Sequence, residues 1–274
     1  MNKKVLITGA TRNVGYAMAQ KFAGEGYDVL ITSRSAEDAQ AAAKSLQEAY
    51  PQVSIYPLEL QLSSVEHIEE VFRGIARDHG SLDALVVNAA HLAINTNIMN
   101  VTPEDYDRIM TPNLKGNFFL CQKATELMGP GSAVLFISSV HANQCIPNRI
   151  LYSMTKAAIN ALCRSMAVEL GHKGIRANAI DAGAIWTERW IGISEEEKAR
   201  RRKPYPAGRE SQPSEIAEGA FFLCSDKAQT ITGTELVIDS GVSVNLLTYN
   251  ADWHKSVSGP AGQEPPRAPR GGDK

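Results

Sequence analysis

The chain has 274 residues, with 28 lysines and arginines against 30 aspartates and glutamates and a net charge of -2, so no general attraction to nucleic acid or to an anionic membrane is expected. Hydrophobic residues make up 43% and charged residues 21%, the balance of a soluble globular protein long enough for one α/β core. No apolar run reaches membrane-spanning length, Val5-Leu6-Ile7 is too short for a secretory leader, and the four cysteines are scattered without metal-ligand spacing, so a reduced, cytoplasmic protein without a metal site is the expectation.

Residues 3–7 read as a short strand that runs directly into T-G-A-T-R-N-V-G-Y-A and a helix through about Ala23. A strand, a glycine-bearing turn and a helix N-terminus offer backbone N–H groups and a favourable dipole to an anion. The segment Gly9, Thr11, Arg12, Asn13, Val14, Gly15 therefore reads as a dinucleotide phosphate loop, although its glycine spacing departs from G-x-G-x-x-G. A second strand, 28–32, ends in Ser33-Arg34-Ser35. In dinucleotide folds an acid at this place bonds the 2′-hydroxyl of NAD, whereas an arginine accommodates the 2′-phosphate of NADP. Here Arg34 stands without an acid, and Arg12 is a second cation, which selects NADP(H) over NAD(H).

An alanine-rich helix (36–50), a third strand (53–60) ending in Leu60-Gln61, an amphipathic helix (64–79) and a fourth strand (82–87) follow, the last ending in Asn88-Ala89-Ala90-His91. Such alternation implies right-handed crossovers and a parallel sheet with ligands at the carboxyl ends of its strands. Thr102-Pro103-Glu104-Asp105 opens a helix, and Pro112, directly before Asn113, is expected to bend or interrupt the backbone before the helix of Phe118 and Leu120.

A fifth strand (133–137) leads to S-V-H-A-N-Q-C-I-P-N-R-I-L-Y-S-M-T-K, and a helix begins near Ile150. Tyr152 and Lys156 are four residues apart and lie on one helical face. The ammonium is expected to lower the phenol pKa, making a proton donor, while Ser139 can place a hydroxyl beside the carbonyl oxygen that receives the proton. A sixth strand (176–180) is followed by D-A-G-A-I-W-T, a lid at about 187–213, a helix from 213 and a last strand at 235–239. In the lid, Ser194-Glu195-Glu196-Glu197 reads as a capping box, and Lys198, Arg200, Arg201, Arg202 and Lys203 crowd the far end of the helix, where the dipole and a solvated face account for them without an anionic ligand. No repeat or second domain is visible: residues 1–247 form one domain and 248–274 a partly flexible tail, rich in proline and glycine beyond about Ser256.

From about Lys3 to Gly241 these motifs resemble the short-chain dehydrogenase/reductase family. T-G-A-T-R-N-V-G is similar to its T-G-x-x-x-G-x-G loop, N-A-A to its N-A-G, A-G-A-I-W-T to its P-G-x-x-x-T, and Asn113, Ser139, Tyr152 and Lys156 fall where its catalytic tetrad falls. The resemblance implies a single-domain, Rossmann-like doubly wound sheet of about seven parallel strands with helices on both faces. It also implies hydride transfer between a nicotinamide and a carbonyl or alcohol carbon, in an enzyme that is commonly a homotetramer or homodimer. Ser139 would orient the carbonyl, Tyr152 exchange its proton, Lys156 lower the Tyr152 pKa and hold the nicotinamide ribose, and Asn113 anchor a water relay. Gly183, Ile185 and Thr187 would meet the carboxamide side of the cofactor, and Asn88, Ala89 and Ala90 its ribose side. Asn13, Gln61, Ala90, Ala182 and Pro112 depart from the family pattern. Gln61 replaces an aspartate that bonds the adenine amine, while Asn13 replaces a glycine but tolerates positive φ.

His91, His141, Asn143, Gln144, Trp186 and Trp190 lie on segments expected to border the substrate, and point to a small polar, hydroxylated or sugar-like carbonyl compound. A pteridine-type reductase and a non-catalytic dinucleotide sensor are the alternatives; an enoyl-reducing relative would carry a longer Tyr-to-Lys spacing.

Overall fold

The computed structural model of the chain describes residues 2–245, so the tail expected at 248–274 lies outside the described residues. Seven parallel strands, β1 (Lys4–Ile7), β2 (Asp28–Ser33), β3 (Ile55–Glu59), β4 (Leu82–Val87), β5 (Met128–Ser139), β6 (Arg176–Ala182) and β7 (Glu235–Ile238), pair in the order β3-β2-β1-β4-β5-β6-β7. The order reverses between β1 and β4, and at that point the crossovers part to opposite faces and leave a crevice at the carboxyl edge.

Strand periodicity divides the core. Val5, Ile7, Val29, Ile31, Ala84 and Val86 face one layer, which packs on Met18 and Phe22 of α1 (Asn13–Gly24), Leu46 of α2 (Ala36–Ala49) and Ile216 and Leu223 of α8 (Pro213–Cys224). Leu6, Leu30, Leu85, Val134 and Phe136 face the other layer, against Ile68 and Phe72 of α3 (Val65–Asp78), Leu120 of α5 (Asn117–Thr125) and Ile159 and Cys163 of α6 (Ile150–Leu170). Residues covered on both sides must be apolar at successive positions, hence the unbroken runs VLI, VLI and ALVV.

Three expectations are corrected. Pro112 does not break the helix: α4 (Pro103–Met110) passes through a π-helical turn, Thr111–Gly116, into α5, with Thr111, Gly116 and Asn117 all right-handed helical. The proline has no N–H for the regular ladder, and the wider turn accommodates that loss. β5 begins at Met128, earlier than expected, because Gly129-Pro130-Gly131 has turn composition and hides the start of its pairing with β4; the register of that pairing shifts between Leu82 and Ala84. At the start of α7 (Glu195–Arg202), Ser194 caps the Glu197 N–H at 3.2 Å, but Glu197 does not return the bond: its carboxylate takes Arg200 and Arg201 instead.

Candidate active site

At the switch point, β1 and β4 are locked together by side chains. The Thr8 hydroxyl accepts the backbone N–H of Asn88 (2.9 Å) and of Ala89 (3.0 Å), and Asn88 Nδ2 donates to the carbonyls of Thr8 (2.9 Å) and Gly9 (3.0 Å). Asn88 thus braces the phosphate loop. Gly15 is the tightest point: a Cβ there would lie 2.2 Å from the Gly9 carbonyl oxygen and 2.8 Å from Asn88 Nδ2. Asn13 has φ 49°, the left-handed conformation for which asparagine is among the few non-glycine residues suited. Arg12 precedes α1 with an extended backbone and no side-chain cap, so the first-turn N–H groups have no side-chain acceptor. With Thr11 and Val14 part-buried beside it, this helix end fits the pyrophosphate of a dinucleotide.

Arg34 is exposed beyond β2, with Ser33 and Ser35 half-buried on either side. The Ser35 hydroxyl caps α2 by accepting the Asp38 N–H at 3.1 Å, and donates to the Glu37 carboxylate at 2.9 Å. The first turn of α2 therefore holds acids, although the strand end holds none. Gln61 follows the buried Leu60 and donates Nε2 to the Arg34 carbonyl (2.7 Å) and to Glu59 (3.1 Å), so its amide fixes the Arg34 backbone. Ala89 packs on the core, and Ala90 is exposed.

Asn113 is fully buried on the π-helical turn, and its side chain is paired at both ends with the His91 backbone: Oδ1 accepts the N–H at 2.6 Å and Nδ2 donates to the carbonyl at 2.9 Å. The Asn113 carbonyl accepts Asn117 Nδ2 at 2.9 Å. The π-turn is what aims Asn113 inward at the end of β4. The His91 imidazole has Arg108 Nη1 3.4 Å from Nε2, and burial first, then Arg108 and Arg34, push its pKa down.

Ser139 ends β5, nearly buried, and its hydroxyl accepts the His141 N–H at 3.2 Å. Tyr152 is half-buried in the first turn of α6, with the His141 ring against it edge-on at 5.9 Å and Lys156 Nζ 5.6 Å from its ring centroid. The expected lowering of its pKa is corrected: burial pushes the phenol up, and the Ser139 hydroxyl and the Arg189 and Arg149 charges only partly oppose this. Lys156 is buried and donates to the Ile137 carbonyl at 2.7 Å, and burial lowers its own pKa to about 8, against the opposing influence of Asp181. A buried ammonium is held by a backbone carbonyl one strand residue from Ser138, and that fixes the helix bearing Tyr152 against the end of β5.

The loops beyond carry the expected substrate residues in different roles. His141 Nδ1 lies 3.1 Å from the Gln144 carbonyl, and Gln144 Nε2 donates to the Ser243 carbonyl at 3.4 Å. Asn143 is exposed on the same loop. Trp186 is 37% exposed, whereas Trp190 is 8% exposed, donates Nε1 to the Ile185 carbonyl at 3.2 Å and lies under the guanidiniums of Arg201 and Arg202. Gly183, Ile185 and Thr187 are part-buried along the way. Trp186 N–H to Ser211 O (2.8 Å) and Ser211 N–H to Ala184 O (3.0 Å) close the base of the 187–213 excursion. The arginine run is largely spent on carboxylates: Arg200 and Arg201 on Glu197, Arg202 on the buried Glu210.

Residues 96 and 148–150 pair across the mouth, through Thr96 N–H to Asn148 O (3.3 Å) and Ile150 N–H to Thr96 O (3.2 Å). The exposed side chains of these segments are mixed: Ile94, Ile98, Met99 and Ile146 alternate with Asn95, Asn100, Gln144 and Asn148, and Ile191 is exposed on the excursion. Sequence reasoning missed Thr8, Asn117, Asn160 and Asp181. The lone carboxylate in the strand RANAIDA was a visible signal for the last of these.

A family model described as Enoyl-(Acyl carrier protein) reductase matches residues 9–243. The chain is 32% identical over 245 residues to a 3-oxoacyl-(acyl-carrier-protein) reductase FabG of Staphylococcus aureus, covering 88% of this chain and 98% of the relative. It is 30% identical over 240 residues to a 3alpha-hydroxysteroid dehydrogenase of Mediterraneibacter gnavus, covering 87% and 96%. Among solved structures, a short-chain dehydrogenase/reductase from Serratia marcescens matches with TM-score 0.81 at 27% identity, over 88% of this chain and 98% of that one. A short chain dehydrogenase from Burkholderia cenocepacia in complex with NADP matches with TM-score 0.79 at 27% identity, over 88% and 97%. Agreement from the phosphate loop past the last strand, on this strand order, makes the chain a member of the short-chain dehydrogenase/reductase family and an NAD(P)-dependent oxidoreductase.

Proposed function

We propose that the chain is an NADP(H)-dependent reductase that interconverts a carbonyl and an alcohol. The observation that carries this reading is the convergence of the Ser139 hydroxyl, the Tyr152 phenol and the buried Lys156 ammonium where β5 meets α6. When bound, the nicotinamide supplies the hydride. Gly9, Asn13 and Gly15 would admit its pyrophosphate to the start of α1, and Arg34 would face the 2′-phosphate. The Ser139 O–H polarises the carbonyl oxygen, and Tyr152 Oη gives its proton to that oxygen as negative charge develops there. Lys156 holds the helix carrying the phenol in place through the Ile137 carbonyl and contributes positive charge beside the ring. The nearly buried Ser139 and half-buried Tyr152 limit the water that competes for that proton. Tyr152 and Lys156 at one-turn spacing favour this chemistry over enoyl reduction.

The exposed apolar side chains of Ile94, Ile98, Met99 and Ile146, set among polar neighbours, support a carbonyl borne on an apolar body, in keeping with the 3-oxoacyl and hydroxysteroid names of the relatives. The second reading, a small sugar-like carbonyl, is favoured by one observation: the His141 imidazole stands against Tyr152. NADPH and NADH oxidation over 3-oxoacyl thioesters, steroid ketones, sugars, small diketones and pterins tests both, with Tyr152→Phe as control. Turnover of an oxoacyl or steroid ketone, lost by about 10²–10⁴-fold in Tyr152→Phe, is the expected result. Turnover confined to sugars or pterins selects the alternatives, and NADPH binding with no turnover of any compound overturns the reductase in favour of a dinucleotide sensor.

A further inference from the structure

Asp181 is the one acid in β6 and is 1% exposed, at the carboxyl edge of the sheet two residues before Gly183. A carboxylate in such a place is costly unless its oxygens are taken up and its charge is answered. Three segments converge to do this. Asn160, one turn beyond Lys156 on α6, donates Nδ2 to both carboxylate oxygens at 3.0 and 3.2 Å. Asn143, from the loop between Ser139 and α6, donates Nδ2 to Oδ2 at 3.1 Å. Ser138 is the register partner of Asp181 across β5 and β6, and its hydroxyl donates to the Lys156 carbonyl at 3.4 Å. Asn160 is itself buried, its Nδ2 bonds only to Asp181 among the described residues, and its Oδ1 has no partner there.

We propose that Asp181 is a positioning residue of the catalytic centre: its carboxylate ties the loop that carries His141 and Gln144 to the helix that carries Tyr152 and Lys156. The inference rests on the reductase reading for its consequence in activity, but not for the tether itself. Each catalytic segment reaches the carboxylate through one neighbour: Ser139 through Ser138, Lys156 through Asn160, the loop through Asn143. An apolar residue at 181 would leave the buried Asn160 amide without an acceptor and the Asn143 amide with Glu235 alone, and the loop would lose its anchor on β6. The charged and titratable groups around Asp181 are Lys156, Cys163 and Arg164 on α6 and Glu235 on β7, with Arg164 paired to Glu235 and Asn143 bridging to Glu235 at 3.4 Å. Of these Lys156 is the buried cation, and Asp181 is the charge that opposes its loss of a proton.

The test compares the full chain with Asp181→Asn and with Asn143→Ala. Asn143 is exposed, so its replacement keeps the core and cuts only the tether. Hydrogen–deuterium exchange of residues 140–149 is expected to rise about tenfold or more in both variants, with β1 and β2 unchanged. The alkaline limb of the reductive kcat/KM profile is expected to move to lower pH in Asp181→Asn alone, because only that variant removes the charge that holds the Lys156 proton. Unchanged exchange at 140–149, or an equal rise across every strand, would make Asp181 an ordinary core residue and overturn the proposal. An alkaline limb that does not move in Asp181→Asn would overturn the coupling to Lys156. If the unaltered chain reduces no carbonyl compound, the functional reading fails, and the exchange result still decides the tether.

Discussion

Around β1 and β4 the strand ends are joined by bonds between sequence-distant residues, with four hydrogen bonds running between Thr8-Gly9 and Asn88-Ala89 over a glycine turn that has no room for a methyl group at Gly15. Around β5 and β6 the following segments, 140–149 and 183–212, are largely exposed, and the polar groups of the first bond to one another, to Asp181 and Glu235 at the sheet edge and to Ser243 beyond β7. On the proposed reading the first region would hold the pyrophosphate, a part shared by every dinucleotide, and would gain from rigidity. The second would meet whatever carries the carbonyl, and its rim can change side chains without disturbing the sheet. The site is thus a stiff half and an adaptable half, joined at Lys156 and Asp181.

The contrast is broken most strongly by reversing charge at the cofactor end. Arg34→Glu should raise KM for NADPH by about 10- to 100-fold and leave KM for NADH nearly unchanged, as steady-state kinetics with both cofactors would read. Equal loss for both would mean that Arg34 does not meet the 2′-phosphate. Gly15→Ala should cost about 1–3 kcal/mol in chemical denaturation and weaken binding of either dinucleotide, since the added carbon meets backbone that cannot rotate away. A methyl tolerated there would remove the argument that the phosphate end is the rigid one.

A pH titration sharpens the junction between the halves. Tyr152 keeps its proton above its ordinary range, whereas Lys156 loses its proton near 8, so reductive kcat/KM should fall as pH rises through about 8 and report the lysine. The same shift has a stability sign. The unfolded chain keeps this lysine protonated up to about 10.5, so between about 8 and 10.5 the unfolded state binds the extra proton and folding gains as pH rises. Lys156→Met should therefore compare more favourably with the natural chain at pH 7 than at pH 10 in thermal melts. The smallest effect is expected at the arginine run: Arg200→Ala removes a solvent-screened contact to Glu197, which keeps Arg201, and should leave KM for the carbonyl compound unchanged.

Much of this was legible in the chain because it follows from local chemistry. Apolar runs at β1, β2 and β4, the threonine cap of α4 at Thr102 and the one-turn spacing of Tyr152 and Lys156 are properties of neighbouring residues, and each is found within a residue or two of where the sequence puts it. The start of β5 was hidden because Gly129-Pro130-Gly131 has turn composition, and its pairing depends on Leu82 of a partner strand, far back in the chain. Trp190 was expected at the substrate; its burial under Arg201 and Arg202 depends on how α7 folds back, which no spacing records.

By itself the sequence determined the alternation of strands and helices, the glycine-bearing turn before α1 and the one-turn spacing of Tyr152 and Lys156, because period, capping and residue chemistry act over a few positions. Only the tertiary structure decided that Asn88 braces the loop, that Asn113 turns inward on a π-helical turn, that burial raises the Tyr152 pKa and lowers that of Lys156, and that Asp181 gathers three segments. Those outcomes depend on desolvation and on hydrogen bonds between residues far apart in the chain, and both exist only once the sheet has brought its carboxyl ends together.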